Sequence, residues 1–240
     1  MLSRSQNLYN RIASYYRDYS HQKSAYLDSI DKIIINEVKK CDNLLDIGSA
    51  DGVRAYKIAK ELNVKRLILL DNSKEMAKIC AKSIKAEYWL KDIAGKGIVN
   101  IKDRFEVITC LWNVLGHIEG EKRRRIALVN MRNLLEENGV IFFDVNNRYN
   151  MIGYGLFSVI KNMIKDIFSP SENNGNFEFN FHFDGKEIPA SVHLFNPLEI
   201  EKLIKNCDLK IVKRFYLNYK TGEQSKTPFS GQLLYKISRK

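Results

Sequence analysis

The residues of this 240-residue chain best suited to chemistry lie in one run, Leu44-Leu45-Asp46-Ile47-Gly48-Ser49-Ala50-Asp51-Gly52. Glycine at 48 and 52 allows a tight turn and a close approach of a ligand to the backbone. Asp71 follows at the end of a second apolar run. That is roughly the 20-residue spacing from which an acid takes ribose hydroxyls in nucleotide-binding folds. Charge sign separates the possible nucleotides. A dinucleotide fingerprint, G-x-G-x-x-G, rests a pyrophosphate on helix-terminal amides. G-S-A-D-G lacks the middle glycine and adds carboxylates at Asp46 and Asp51. Beside a pyrophosphate these acids repel; beside a ligand bearing an ammonium and a sulfonium they attract. The loop therefore favours S-adenosyl-L-methionine over NAD. Downstream, Asp92 and His117 are further candidates, with His117 as general base if an acceptor must lose a proton. Each has a plainer reading too: Asp71 as a helix N-terminal acid, Asp92 as loop polarity, His117 as a helix cap. His182 and His193 lie in a later segment, and His21 reads as surface.

Such residues need a scaffold that gathers loop ends, and the apolar patterning supplies one. Residues 6–19 and 23–39 read as helices, the second with Tyr26, Ile30, Ile33, Ile34 and Val38 at helical spacing. Strands at 43–47, 66–70, 86–90, 105–111 and 140–145 then alternate with helices at 53–62, 73–84 and 121–137. Nearly continuous apolar strands separated by helices imply a parallel sheet covered on both faces. Ligands of such sheets sit beyond the C-terminal strand ends. The expected fold class is α/β, a doubly wound, mostly parallel, seven-stranded sheet. After residue 146 the rhythm changes. Leu156, Phe157, Val159, Ile160, Met163, Ile164, Ile167 and Phe168 form one apolar stripe, predicting a single amphipathic helix over 150–168. Alternation of Phe177, Phe179, Phe181 and Phe183 predicts a half-buried strand. A helix at 197–207 and strands at 210–219 and 231–238 resume the main pattern. Residues 1–146 and 196–240 are thus expected to form the ligand-binding domain, with 147–195 inserted as an α+β lid over the substrate.

LLDIGSADG, LILLD ending at Asp71, Lys91-Asp92-Ile93 and FEVITCLWNVLGHI, in that order and at strand ends, resemble the consecutive motifs of class I S-adenosylmethionine-dependent methyltransferases. The resemblance covers about residues 5–147. Tyr9, Tyr15 and Tyr16 of the N-terminal helix and the Asn146-Asn147-Arg148-Tyr149 turn are similar to small-molecule members. It implies the Rossmann-like methyltransferase fold and a set of roles. Gly48, Ser49 and Gly52 approach the methionine moiety, with Asp46 orienting their loop; Asp71 takes the ribose, with Asn72 next to it also at the cofactor; Asp92 and Ile93 meet the adenine. Leu111 and Trp112 line the cofactor, Tyr16 closes over it, and His117 faces the methyl-transfer site. Asn113, Asn147 and Arg148 fall to the substrate. Ala50 is a departure, since the family usually has glycine there.

Composition limits the partners. The net charge of +11 invites an acidic one, yet the basic residues are scattered. The densest run, Lys122-Arg123-Arg124-Arg125, opens an amphipathic helix where a solvated face is expected. No Asn-Pro-Pro-Tyr/Phe-type motif follows the fourth strand. The expected activity is therefore methyl transfer to N or O of a small molecule. RNA or protein methylation, and a non-catalytic binding protein keeping the fold, are the competing readings. A base-stacking role for the phenylalanine strand is disfavoured by Glu178 and Asp184 around it. No stretch approaches the ~20 apolar residues of a membrane span. The 150–168 helix could lie on a membrane surface, but its narrow, weakly basic polar face favours the lid. With no apolar signal core near the N-terminus, a cytoplasmic protein is expected. Four dispersed cysteines without CxxC spacing predict neither disulfide nor metal site. Monomer and homodimer both stay open.

Overall fold

The computed structural model describes residues 2–240. Three helices lead, α1 (Arg4–Ile12), α2 (Tyr16–His21) and α3 (Ser24–Val38). Five parallel strands follow: β1 (Asn43–Ile47), β2 (Arg66–Asp71), β3 (Glu87–Leu90), β4 (Phe105–Cys110) and β5 (Leu135–Val145). Helices α4 (Val53–Glu61), α5 (Lys74–Ser83) and α6 (Glu121–Leu134) lie between them. After β5 come α7 (Met151–Tyr154), α8 (Leu156–Phe168) and a hairpin of β6 (Asn176–Phe183) and β7 (Lys186–His193). The chain ends with α9 (Pro197–Lys205), β8 (Leu209–Leu217), β9 (Gln224–Ser225) and β10 (Gln232–Arg239). The main sheet has the order β3-β2-β1-β4-β5-β10-β8-β9, with β10 antiparallel to both neighbours. Its eighth strand is the two-residue β9 edge, too short for an apolar pattern to reveal, so the expected seven become eight.

Period-two alternation sorts β1 between two cores. Leu45 and Ile47 pack with Ala127, Leu128 and Met131 of α6 and with Ile200 and Leu203 of α9. Leu44 packs on the other face with Tyr26, Ile30 and Ile34 of α3 and Ile58 of α4. Strand order reverses between β1 and β4, which opens a crevice at their C-terminal ends.

Several boundaries and faces differ from expectation. The 121–137 helix stops at Leu134, because Leu135 is extended and pairs with Phe105, lengthening β5 to 11 residues. The 6–19 helix divides into α1 and α2. The 150–168 helix breaks at Gly155, whose φ of +81° leaves the helical region. Within the basic run, Arg124 is only 2% exposed; it donates to the Ile118 carbonyl and lies over the Phe195 ring, so that position is no solvated face. Of the eight-residue apolar stripe only Val159 is buried. The hairpin instead carries the packing of this segment: Ile188 and Ala190 meet Leu8 and Ile12, so β7 braces α1.

Candidate active site

The bend after β1 is fixed by backbone before it touches any ligand. Gly48 and Gly52 hold φ values of +73° and +75°, conformations open to glycine and costly for most side chains. A Cβ at Gly48 would lie 2.3 Å from Val114 Cγ2; one at Gly52 would lie 2.7 Å from Leu69 Cδ1 and 2.8 Å from Cys80 Sγ. Gly52 lines neither cavity described below; it serves helix–strand packing. The Ser49 hydroxyl donates to the Asp46 carbonyl at 2.7 Å and accepts the Leu70 amide at 3.1 Å, stitching β1 to β2. Ala50 stands at φ +48°, and its amide donates to Asp71 Oδ2 at 2.9 Å. The Ser73 amide holds Asp71 Oδ1 at 2.8 Å. Burial lifts the Asp71 carboxyl above the usual range, and these amides pull against that rise.

Two cavities meet at this bend. The first, about 410 Å³, lies over the strand-order reversal and is lined by Gly48, Asp71, Asn72, Asp92, Ile93, Leu111, Trp112, Tyr16 and His117. Pattern reasoning missed Gln6, Val114 and Arg123 in its wall. Gln6 donates to the Asn72 carbonyl at 2.7 Å, and Arg123 to Asp92 Oδ2 at 2.6 Å. The second cavity, about 400 Å³, shares Tyr16, Gly48, Leu111 and Trp112 with the first. Its wall holds Asp31, Asp46 and Asp51 together with Arg17, Arg54 and Lys57. Arg17 donates to Asp51 Oδ2 at 3.2 Å, and Arg54 Nε to Asp31 Oδ1 at 2.7 Å. Asp46 accepts from Thr109 Oγ1 at 2.6 Å, and burial pushes its carboxyl up to about 6.

Aromatic side chains wall the junction. Trp112 stacks on Tyr19 at 5.3 Å between centroids and lies 5.8 Å from Tyr16, while its indole donates to Tyr219 Oη at 3.0 Å. Trp112 and Asn113 have positive φ, +62° and +59°. Asp144 fixes that kink by accepting the Trp112 amide, and its other oxygen accepts from Tyr26 Oη at 2.7 Å. The signal for it was an acid inside the otherwise apolar VIFFDV. His117 Nε2 lies 3.2 Å from Tyr9 Oη. Its Nδ1 has no hydrogen-bond partner among the described residues. Burial lowers the imidazolium pKa to about 4, so the ring is neutral at pH 7.

Three residues expected at a substrate are placed elsewhere. Asn113 is buried outside both cavities, its Oδ1 accepting the Asn146 amide at 3.0 Å. Asn147 is wholly buried: its side-chain nitrogen donates to the Pro228 and Gly231 carbonyls, and its Oδ1 accepts the Tyr149 amide. Arg148 spends its guanidinium on Asp166, Glu199 and the Leu194 carbonyl. His193 belongs to the same buried cluster, between Asn176 and Glu199. No residue of 147–195 lines either cavity.

In fold the chain is similar to an S-adenosylmethionine-dependent methyltransferase from Clostridium acetobutylicum, 19% identical, with 97% of this chain and 99% of that one covered and a TM-score of 0.64. It is similar also to an amino pentose methyltransferase from Micromonospora echinaspora with S-adenosylmethionine bound, at 12% identity, 95% and 97% coverage and a TM-score of 0.61. A sugar N-methyltransferase from Streptoalloteichus matches at 11% identity, 94% and 92% coverage and a TM-score of 0.63. No protein-family model and no curated protein sequence matches the chain. The chain has the Rossmann-like fold of the class I S-adenosylmethionine-dependent methyltransferases.

Proposed function

We propose that the chain is an S-adenosylmethionine-dependent methyltransferase acting on nitrogen or oxygen of a small molecule. The pair of cavities joined at Gly48 and Tyr16 carries this reading. One presents Asp71 and Asp92, acceptors suited to ribose hydroxyls and an adenine amine. The other presents acids and arginines together, which suits the zwitterionic head of an amino acid. Asp46 and Asp51 stand for its ammonium, Arg17 and Arg54 for its carboxylate. When bound, S-adenosylmethionine supplies a methyl group on a sulfonium, a good leaving group. The protein's own work is then positioning and water exclusion. Tyr16 and Trp112 wall the junction of the two arms, and His117, neutral and paired with Tyr9, can hold a proton leaving an acceptor. The sugar and amino pentose methyltransferases of like fold support a small polar acceptor.

Calorimetry with S-adenosylmethionine and S-adenosylhomocysteine tests the assignment. Both should bind the wild type, and Asp71→Ala should weaken them by roughly tenfold or more, the loss of hydrogen bonds to a charged acceptor. Binding of a phosphate-bearing nucleotide in their place would overturn it. A screen of small amines and alcohols with labelled methyl donor then identifies the acceptor.

A further inference from the structure

Helix α8 is docked the wrong way round for a soluble protein. Apart from the buried Val159 and the half-buried Met163, its inward side is polar: Asp166 accepts from Arg148 Nε at 2.9 Å, Tyr149 Oη at 2.8 Å, Asn174 Nδ2 at 3.0 Å and Asn196 Nδ2 at 3.0 Å. Asn162 donates to the Arg148 carbonyl at 3.4 Å from the same side. Its outward side is apolar. Leu156, Phe157, Ile160, Ile164, Ile167 and Phe168 are 52%, 87%, 42%, 52%, 68% and 78% exposed. At 100° per residue they fall within an arc of about 120°. Together they leave on the order of 700 Å² of apolar side chain in water, beyond the few hundred that soluble monomers usually expose. Four part-buried hydrogen bonds to one carboxylate, with Val159 packed beside them, hold this orientation, so the exposed face is built in.

Charge selects the occupant. Lys161 and Lys165 follow the apolar arc on its solvent flank, and both are exposed. The helix's one acid, Asp166, is turned inward, so the outward side carries two positive charges and no negative one. The chain as a whole is at +11, which repels a second copy and attracts an anionic surface. An apolar stripe flanked by lysines matches a helix lying in a lipid interface, rings among the acyl chains and ammonium groups at the headgroups. No helix among the described residues is long and apolar enough to cross a membrane, so contact is with the surface only. We propose that α8 docks the protein on an anionic phospholipid surface, lying in its plane.

Co-sedimentation of the full chain with vesicles tests this. The wild type should bind phosphatidylcholine vesicles containing about 30% phosphatidylglycerol at least tenfold better than pure phosphatidylcholine, and the difference should shrink with salt. Phe157→Glu with Phe168→Glu should cost at least tenfold in binding to the anionic vesicles, about the penalty of placing charges in the acyl region. Lys161→Glu with Lys165→Glu should cost roughly fivefold or more. All four positions are exposed, and unchanged melting temperatures would show that the fold persists. Failure of the wild type to bind anionic vesicles, or binding indifferent to both pairs, overturns the proposal. So does sedimentation equilibrium showing a dimer that Phe157→Glu dissolves, with no vesicle binding.

Discussion

Replacing Asp46 by asparagine isolates the cost of a buried carboxylate at the heart of the site. Asp46 is 7% exposed and accepts from Thr109 Oγ1 at 2.6 Å. Asparagine keeps the shape and the acceptor and removes the titration. Burial lifts the folded value from 3.8 to about 6. As pH rises the unfolded chain therefore sheds this proton first. Stability from the group is complete below about pH 4 and drains as pH climbs through 6. The whole rise corresponds to about 3 kcal/mol, of which about 2 kcal/mol is lost between roughly pH 4.5 and 7.5. Relative to Asp46→Asn, the wild type should thus be about 2 kcal/mol worse off at the higher pH, read from urea midpoints and slopes. The buried Asp31 and Asp144 and the half-buried Asp71 also have raised pKa values; they titrate in both proteins and cancel in the difference. A stability gap that stays level across that range refutes the reasoning. Stability and function should part company here: the variant, more stable at pH 7.5, should bind S-adenosylmethionine roughly tenfold more weakly for want of the carboxylate.

Three further substitutions probe the bend and its base. Gly48→Ala combines a φ of +73° with a 2.3 Å approach to Val114 Cγ2, and should cost about 2–4 kcal/mol. Adding Val114→Ala should return the steric part and leave the backbone part, a split that thermal melts resolve. Ala50→Gly relieves the left-handed alanine at φ +48° and should raise stability by up to about 1 kcal/mol after the unfolded-state cost of glycine; a lower melting temperature contradicts it. His117→Phe tests the half-buried imidazole in the cavity wall, whose folded pKa of about 4 lies below the ordinary 6.5. The unfolded chain takes this proton first as pH falls, so the histidine's contribution is full above 6.5 and disappears as pH drops through 4. Between roughly pH 7 and 4.5 the wild type should lose about 2–3 kcal/mol relative to the variant, and an unchanged gap would place the ring in contact with water.

The parallel half of the fold was legible because each strand is a short apolar run closed by glycine or an acid, and strand ends put Asp71 and Asp92 at one edge without any long-range knowledge. Polar residues already committed to distant partners were not legible. Ser49 lines the second cavity as expected, but that its hydroxyl is held by Leu70, 21 residues on, could not be read from the pattern. Arg148 reads as a ligand group until Asp166 and Glu199 take its guanidinium. The stripe on α8 shows that one face is apolar, and an apolar face normally goes inward. Here the four hydrogen bonds of Asp166 outweigh that tendency, and pattern alone carries no sign of them. The same blindness touches the choice of cofactor. Counting Asp46 and Asp51 by themselves makes the bend negative and explains an attraction to cations. In three dimensions Arg17 sits on Asp51, and Arg54 sits on Asp31 across the same cavity. What distinguishes this site from one for a pyrophosphate is thus the presence of both signs within about 400 Å³. A zwitterion can answer each with its opposite, whereas a polyanion would leave the acids facing it unpaired.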